Sequence, residues 1–111
     1  MSSVAYYLSN FMNRNIIISP EAEEDIEEVF NYIVYKVMAP ETAVRYYMGI
    51  YDTIQNLSVI GAVLPKSQQP LLRTHYGKSV RTVCYKKMTI VYNIIENVVY
   101  VRRVLASSLI R

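Results

Sequence analysis

The sequence predicts an α+β domain in which an N-terminal strand and a hairpin of two helices pack on a mostly antiparallel sheet of about four strands. Residues 80–105 are rich in Val, Ile, Tyr and Thr and contain no Gly or Pro, a composition typical of strands. Residues 20–57 carry apolar side chains at helical spacing on both sides of a proline. The helices therefore precede most of the sheet in the chain.

The first strand is predicted over residues 15–18, where Asn is followed by three isoleucines. Residues 1–14 are polar and aromatic without a clear period. We therefore expect residues 1–14 to form a poorly ordered extension and residues 15–111 to form a single domain.

The first helix is predicted over residues 20–38. Ser19 is a good N-cap, and Pro20 is tolerated at the first helical position. Apolar side chains form one face at helical steps: Ala22, Ile26, Val29, Phe30, Ile33 and Val37. Six acids crowd residues 21–28, where the helix dipole favours negative charge, and a solvated face explains them better than a metal site does.

The second helix is predicted over residues 41–57, after Pro40 ends the first. Its apolar seam follows a heptad-like spacing and consists of Ala43, Tyr47, Ile50, Ile54 and Leu57. Two amphipathic helices with a short connection form an antiparallel hairpin, and we expect it to cover one face of the sheet.

The remaining chain is predicted to be a loop over residues 58–70, a short strand over 71–75 and a turn over 76–79. Strands then follow over 80–86, 88–95 and 98–105, and their very short connections require antiparallel pairing. The segment 88–95 is apolar on both faces, which indicates a central strand covered on both sides.

The length and composition limit the classes of protein to which the chain can belong. The chain has 111 residues, of which 52% are hydrophobic, and this is enough for one domain with a real core. A single cysteine excludes an intramolecular disulfide framework, and Cys84 in an alternating strand is predicted to be a small buried hydrophobe. No apolar run reaches the length of a membrane span, and no signal peptide is evident, so we expect a cytoplasmic protein without membrane contact.

The net charge of +3 conceals an asymmetry. From Lys66 to the C-terminus, nine basic residues stand against one acidic residue, a balance of +8. A basic sheet behind an acidic helix indicates an anionic partner on the sheet side. Lysines that keep strand edges soluble explain the same charges equally well. Tyr85, Tyr92 and Tyr100 lie among these bases, where they either stack on a partner or pack across strands.

Three stretches of the chain together resemble the RelE/ParE superfamily of type II toxins: ISPEAEEDIEEVFNYI, PETAVRYYMGIYDTIQNL and YGKSVRTVCYKKMTIVYNIIENVVYVRRVL. The resemblance covers nearly all of residues 15–105. It implies a small α+β fold and a cognate antitoxin whose extended segment wraps around the toxin. A toxin dimer or a toxin–antitoxin hetero-oligomer is the assembly expected. No cofactor and no metal are expected, since Gly-rich phosphate loops and Cys/His metal spacings are missing from the sequence.

The resemblance leaves three functions open. RelE-like members cleave mRNA on the ribosome, whereas ParE-like members poison DNA gyrase without evident enzymatic chemistry. This chain lacks basic residues at three places where the RelE-like pattern has them. Residues 80–83 contain only Arg81 as a base, and the next strand opens with Met88-Thr89. Residues 106–108 are Ala-Ser-Ser, where the family usually has basic or His residues. We therefore favour a ParE-like inhibitor of an essential target such as gyrase. The alternatives are a ribosome-dependent mRNA endoribonuclease and a degenerate homologue that only binds antitoxin.

Two overlapping sets of residues are candidates for the site. For a ribonuclease, the resemblance implies catalytic roles for Arg73, His75, Lys78, Arg81 and Arg103. The candidates for target binding are Arg81, Tyr85, Lys86, Lys87, Arg102 and Arg103. Arg81 and Arg103 stand out because each interrupts an apolar strand, where an unpaired buried charge is costly. The alternative for both is a structural pairing with a helix acid such as Asp25 or Asp52.

Overall fold

The computed structural model describes residues 14–110. It confirms an α+β fold in which the first strand and the helices precede the other strands. The strands are β1 (Asn15–Ile18), β2 (Arg81–Tyr85), β3 (Met88–Ile95) and β4 (Val98–Ala106). The helices are α1 (Pro20–Tyr35), α2 (Pro40–Ile60) and the short α3 (Pro70–Tyr76), and a single 3₁₀ turn spans Ser107–Ile110.

The strands form one sheet in the order β1-β4-β3-β2. β1 runs parallel to β4, and the other two pairings are antiparallel, so the predicted mostly antiparallel sheet of four strands is confirmed. The β3–β4 turn places Glu96 at φ 49° and Asn97 at φ 66°, the left-handed geometry of a tight hairpin. β3 lies between two strands, and its first six residues are buried, as expected for a covered central strand.

The helix hairpin of α1 and α2 covers one face of the sheet. Its buried side chains include Ala22 and Ile26 of α1, together with Ile50, Ile54 and Leu57 of α2. They pack on the inward residues of the strands, which are Met88, Ile90, Tyr92, Val99, Val101 and Val104. Burying this apolar surface is the main stabilising contribution to the fold. Tyr47, predicted for the seam of α2, lies at its rim and is 44% exposed.

The strand predicted over residues 71–75 is wrong, because this segment lies in helix α3. The side chain of Gln69 accepts a hydrogen bond from the N–H of Leu71, and Pro70 opens the helix. Leu72 packs with Val80 and Val91 against the sheet face that α1 and α2 leave uncovered. The Gln69 cap and the packing of Leu72 therefore stabilise a short helix where a strand was predicted.

Three further predictions need correction. α1 ends at Tyr35 rather than at residue 38, and Met38 adopts φ 60°. α2 begins at Pro40 and continues to Ile60, so the first residues of the predicted 58–70 loop are helical. Cys84 is exposed rather than buried, because β2 is an edge strand and its outward face is only partly covered.

The predicted N-terminal extension lies, except for its last residue, outside the described residues. Within the described part, no helix is long and apolar enough to cross a membrane.

Candidate functional site

An irregularity in β4 organises the polar part of the molecule. Val91 pairs with Arg103, but the next residue of β3, Tyr92, pairs with Val101, so Arg102 is an extra residue on β4. Such a β-bulge leaves backbone groups without their ladder partners and redirects the side chains beside it. The bulge therefore needs hydrogen bonds from elsewhere in the fold.

Helix α1 supplies those hydrogen bonds. The Ser19 hydroxyl donates to the carbonyl oxygen of Arg102 at 2.8 Å and accepts from the N–H of Ala22 at 3.0 Å. It therefore caps the helix and also provides a hydrogen-bond partner for the carbonyl at the bulge. One carboxylate oxygen of Asp25 accepts from the N–H of Val104 at 2.9 Å. The N-cap residue of α1 and a residue of its second turn thus hold both sides of the bulge.

Asp25 also pairs with Arg103 in a bidentate ion pair. The Nε and Nη2 atoms of Arg103 lie 2.7 and 2.9 Å from the two carboxylate oxygens. This hydrogen bond to Asp25 raises the pKa of Arg103 against the opposing effect of desolvation. The Asp25 side chain is 9% exposed and that of Arg103 is 36% exposed. Arg103 therefore makes the structural pairing with a helix acid that the sequence left as an alternative.

A cleft of about 470 Å³ opens beside the bulge, and we call it the bulge cleft. Its walls are formed by Ser19, Glu21, His75, Tyr76, Asn93, Arg102 and Arg103. Arg102 donates from Nε to the Asn93 side-chain oxygen at 3.0 Å, and Asn93 in turn donates to the Tyr76 carbonyl at 3.1 Å. The Arg102 guanidinium also lies over the Tyr100 ring, 5.3 Å from its centroid.

The bulge cleft can hold an anion. The terminal nitrogens of Arg102 make no hydrogen bond to any residue in the described part of the chain, and such N–H groups match carboxylate and phosphate oxygens. His75 is exposed at the same cleft, where its imidazole nitrogens can hydrogen-bond a bound molecule. Glu21 adds one negative charge at the wall, so the cleft is basic but not uniformly so.

The structure brings three predicted site residues together in the bulge cleft: His75, Arg102 and Arg103. Arg73 and Lys78 do not line this cleft. Arg73 donates to the side chain of Gln68 at 2.8 Å, and Lys78 is exposed in the turn before β2.

Arg81 lies on the other side of the sheet. It pairs across the strands with Tyr92, which faces α1 and α2, and its guanidinium donates to the carbonyl oxygens of Ala62 and Leu64 just beyond α2. The Tyr92 hydroxyl donates to the Gly61 carbonyl at 2.7 Å. Burial raises the pKa of Tyr92 to about 12, against the lowering effect of the Arg81 charge. Tyr92 is fully buried, so it packs in the core and cannot stack on a partner.

Tyr85, Lys86 and Lys87 form a separate group at the β2–β3 turn. The Lys86 ammonium lies 5.3 Å from the centre of the Tyr46 ring and 5.7 Å from that of Tyr85. The Tyr85 ring crosses helix α2 at Gly49, where any Cβ would overlap it. The predicted target-binding residues therefore lie in at least two places rather than on one surface.

Four residues that line the bulge cleft were not predicted from the sequence as site residues: Ser19, Glu21, Tyr76 and Asn93. Asn93 carried a usable signal, because a polar residue inside an apolar strand has to find hydrogen bonds when it is buried. Ser19 was expected only as a helix cap. Tyr76 was assigned to a turn, although its neighbour His75 was already a candidate site residue.

Comparisons with known proteins rest on structure alone. No protein-family model matches the chain, and no curated protein matches it. Among solved structures, the chain is similar to a chain in one described as the chromosomal ParDE TA system from P. aeruginosa, with a TM-score of 0.69 and 16% sequence identity. The match covers 88% of this chain and 98% of that one. Within residues 14–110, no group of three or more His, Cys, Asp or Glu side chains could hold a metal ion. The molecule thus has the α+β fold found in the ParDE toxin–antitoxin system.

Proposed function

We propose that this chain is the toxin of a type II toxin–antitoxin pair and acts as a ParE-like binding inhibitor of an essential target such as DNA gyrase. A cognate antitoxin protein would neutralise it. The fold shared with the ParDE structure supports the toxin–antitoxin assignment. The single observation that carries the binding mechanism is the separation of the cationic side chains that a ribonuclease would need to gather around one phosphate.

Cleavage of RNA requires a base for the 2′-hydroxyl proton and cations for the charge that develops on the phosphate. Arg103 is paired with Asp25, and Arg81 is engaged with carbonyl oxygens on the opposite side of the sheet. The Ser107 hydroxyl, after the last strand, lies 2.7 Å from the Thr89 hydroxyl and forms a hydrogen bond with it. These engagements favour binding over catalysis.

A ribosome-dependent mRNA endoribonuclease is the second candidate function. The observation in its favour is the bulge cleft, where His75 could act as acid or base beside the guanidinium of Arg102. A degenerate homologue that only binds antitoxin is the third candidate.

Expression without antitoxin separates the three candidates. We expect growth arrest, loss of gyrase supercoiling activity and no new mRNA 5′ ends. New 5′ ends at ribosomal A-site codons with intact supercoiling would replace the proposal with the ribonuclease. Normal growth, at a protein level confirmed by immunoblot, would favour the degenerate homologue.

Two single variants sharpen the distinction. His75→Gln removes the proton-transfer group and should leave a binding inhibitor toxic, whereas a ribonuclease should lose most of its cleavage. Arg102→Ala removes a cation from the bulge cleft and should reduce toxicity if the cleft contacts the target. Lys66→Ala is the matched control, since Lys66 is exposed, lies outside the cleft and belongs to neither set of candidate site residues.

A further inference from the structure

A second concave surface lies between the two helices of the hairpin. It encloses about 370 Å³ between α1 and α2, and we call it the hairpin groove. The lining consists of Glu23, Ile26, Glu27, Phe30, Tyr47 and Tyr51. None of these residues lines the bulge cleft.

Three aromatic rings from the two helices line the hairpin groove. Phe30 of α1 meets Tyr47 of α2 edge to face at a centroid distance of 5.8 Å, and Tyr47 lies 4.8 Å from Tyr51. Burial raises the pKa of Tyr51, and its neighbours Tyr47 and Glu23 raise it further. The rings are therefore packed together in a cluster that also approaches a carboxylate.

Two carboxylates also line the groove. Glu23 and Glu27 are one helical turn apart on α1, so they lie on the same side of the helix. Both residues are exposed, and neither carboxylate makes a hydrogen bond or ion pair with any residue between 14 and 110. Their charge is thus available to a molecule that enters the groove.

Aromatic faces beside unpaired carboxylates are the chemistry that recognises an organic cation. A guanidinium suits this groove best, because it is planar, stacks on rings and donates two parallel hydrogen bonds to a carboxylate. Val44 and Met48 continue the same flank of α2 at helical spacing from Tyr47 and Tyr51, and they are 48% and 59% exposed. An arginine with apolar neighbours would therefore match the charge and the surrounding surface.

We propose that the hairpin groove binds an arginine side chain of a partner protein segment, with apolar residues of that segment lying on Val44 and Met48. Charge complementarity selects this occupant, since an acidic segment would be repelled by Glu23 and Glu27. The inference does not depend on the proposed toxin function.

The test titrates the full-length protein with the acetylated and amidated tripeptide Leu-Arg-Leu while NMR follows the aromatic ring signals. We expect shifts confined to Phe30, Tyr47 and Tyr51, with a dissociation constant of about 1 mM. The matching peptide with citrulline has the same shape without the charge, and it should bind at least about fivefold more weakly. Equal binding of the two peptides, or no binding up to about 10 mM, would overturn the proposal.

Two variants provide the internal control. Glu27→Gln should weaken the arginine peptide about fivefold, because it removes one of the two groove carboxylates. Glu28→Gln removes the same charge from the next residue of α1, outside the groove, and should leave the affinity unchanged within about twofold. Equal losses in the two variants would show general attraction to an acidic helix and would overturn the specific site. Thermal melting of each variant verifies that the fold is intact.

Discussion

Helix α1 places its acidic residues in two different environments, the β4 bulge and the hairpin groove. On one side, Asp25 contacts the β4 bulge, where its carboxylate accepts hydrogen bonds from the Arg103 side chain and the Val104 backbone. On the other side, Glu23 and Glu27 face the hairpin groove without a partner in the described part of the chain. Residues of the same type, within one short sequence run, are therefore structural in one place and available for binding in the other.

The two environments give a carboxylate on α1 two different roles. A carboxylate that satisfies backbone groups of another element stabilises the fold, and its loss leaves buried groups unpaired. A carboxylate that faces water contributes little to stability and is free to recognise a ligand. The sequence explains the acidic run as a solvated face and gives the pairing of Asp25 with Arg81 or Arg103 only as an alternative, whereas the structure pairs Asp25 with Arg103.

The largest expected effect comes from Asp25→Ala. We expect a loss of about 3 kcal/mol in the free energy of unfolding, because the Val104 N–H and the Arg103 guanidinium both lose their acceptor. Denaturant unfolding measures this loss. The matched control is Glu24→Ala on the exposed side of α1, which should change stability by less than about 0.5 kcal/mol. Similar losses of stability in the two variants would contradict the structural role of Asp25.

The second-largest expected effect is on alkaline stability and comes from Tyr92, on the buried face of the sheet. Its pKa is about 12 in the folded protein and 10.0 ordinarily, so the unfolded chain releases this proton first as pH rises. The stabilisation is therefore complete below about pH 10 and is lost as pH approaches about 12. Between about pH 9 and about pH 11.5, the wild-type protein should lose about 2 kcal/mol more stability than Tyr92→Phe.

Equilibrium unfolding at the two pH values measures the effect of Tyr92. Tyr32→Phe is the control, because Tyr32 is 60% exposed, and it should follow the wild-type curve. An identical pH dependence in wild type and Tyr92→Phe would show that the buried hydroxyl does not govern alkaline stability.

A smaller effect is expected from Ser19→Ala. We expect a loss of about 1–2 kcal/mol, since both the helix cap and the hydrogen bond to the Arg102 carbonyl disappear. Ser58→Ala removes an exposed hydroxyl that contacts only the nearby Gln55 carbonyl, and it should cost less than about 0.5 kcal/mol. Thermal melts of both variants decide whether the bulge depends on α1.

The smallest change in stability is expected from Glu27→Gln, at less than about 0.5 kcal/mol. Because the same variant should weaken binding of the arginine peptide, it separates recognition from folding. A large loss of stability would show that Glu27 belongs to the structural class of Asp25, and the contrast between the two sides of α1 would then fail.

Much of the fold follows from local pattern. The apolar periodicity of α1 and α2 matches their buried faces, and the composition of β3 matches its covered position. The short α3 was missed because a seven-residue segment carries too little periodicity to distinguish a helical turn from a strand. Cys84 was misplaced because alternation does not tell which strand lies at the edge of a sheet.

The candidate site was predicted less well than the fold. His75, Arg102 and Arg103 were expected as site residues and do share the bulge cleft, but Arg81 and the β2–β3 turn lie elsewhere. The family resemblance indicated candidate positions along the sequence. It could not say which of those residues a bulge and a short helix would bring together.

The two long helices, the hairpin turns and the three apolar strands follow from the sequence, because each depends on residues a few positions apart. Only the tertiary structure decided that Arg102 is the extra residue of a bulge and that Asp25, among six acids, holds it. Asp25 and Val104 are 79 positions apart, so no local pattern encodes their contact. The physical reason is that unpaired backbone groups must find acceptors and donors wherever the packed chain brings them.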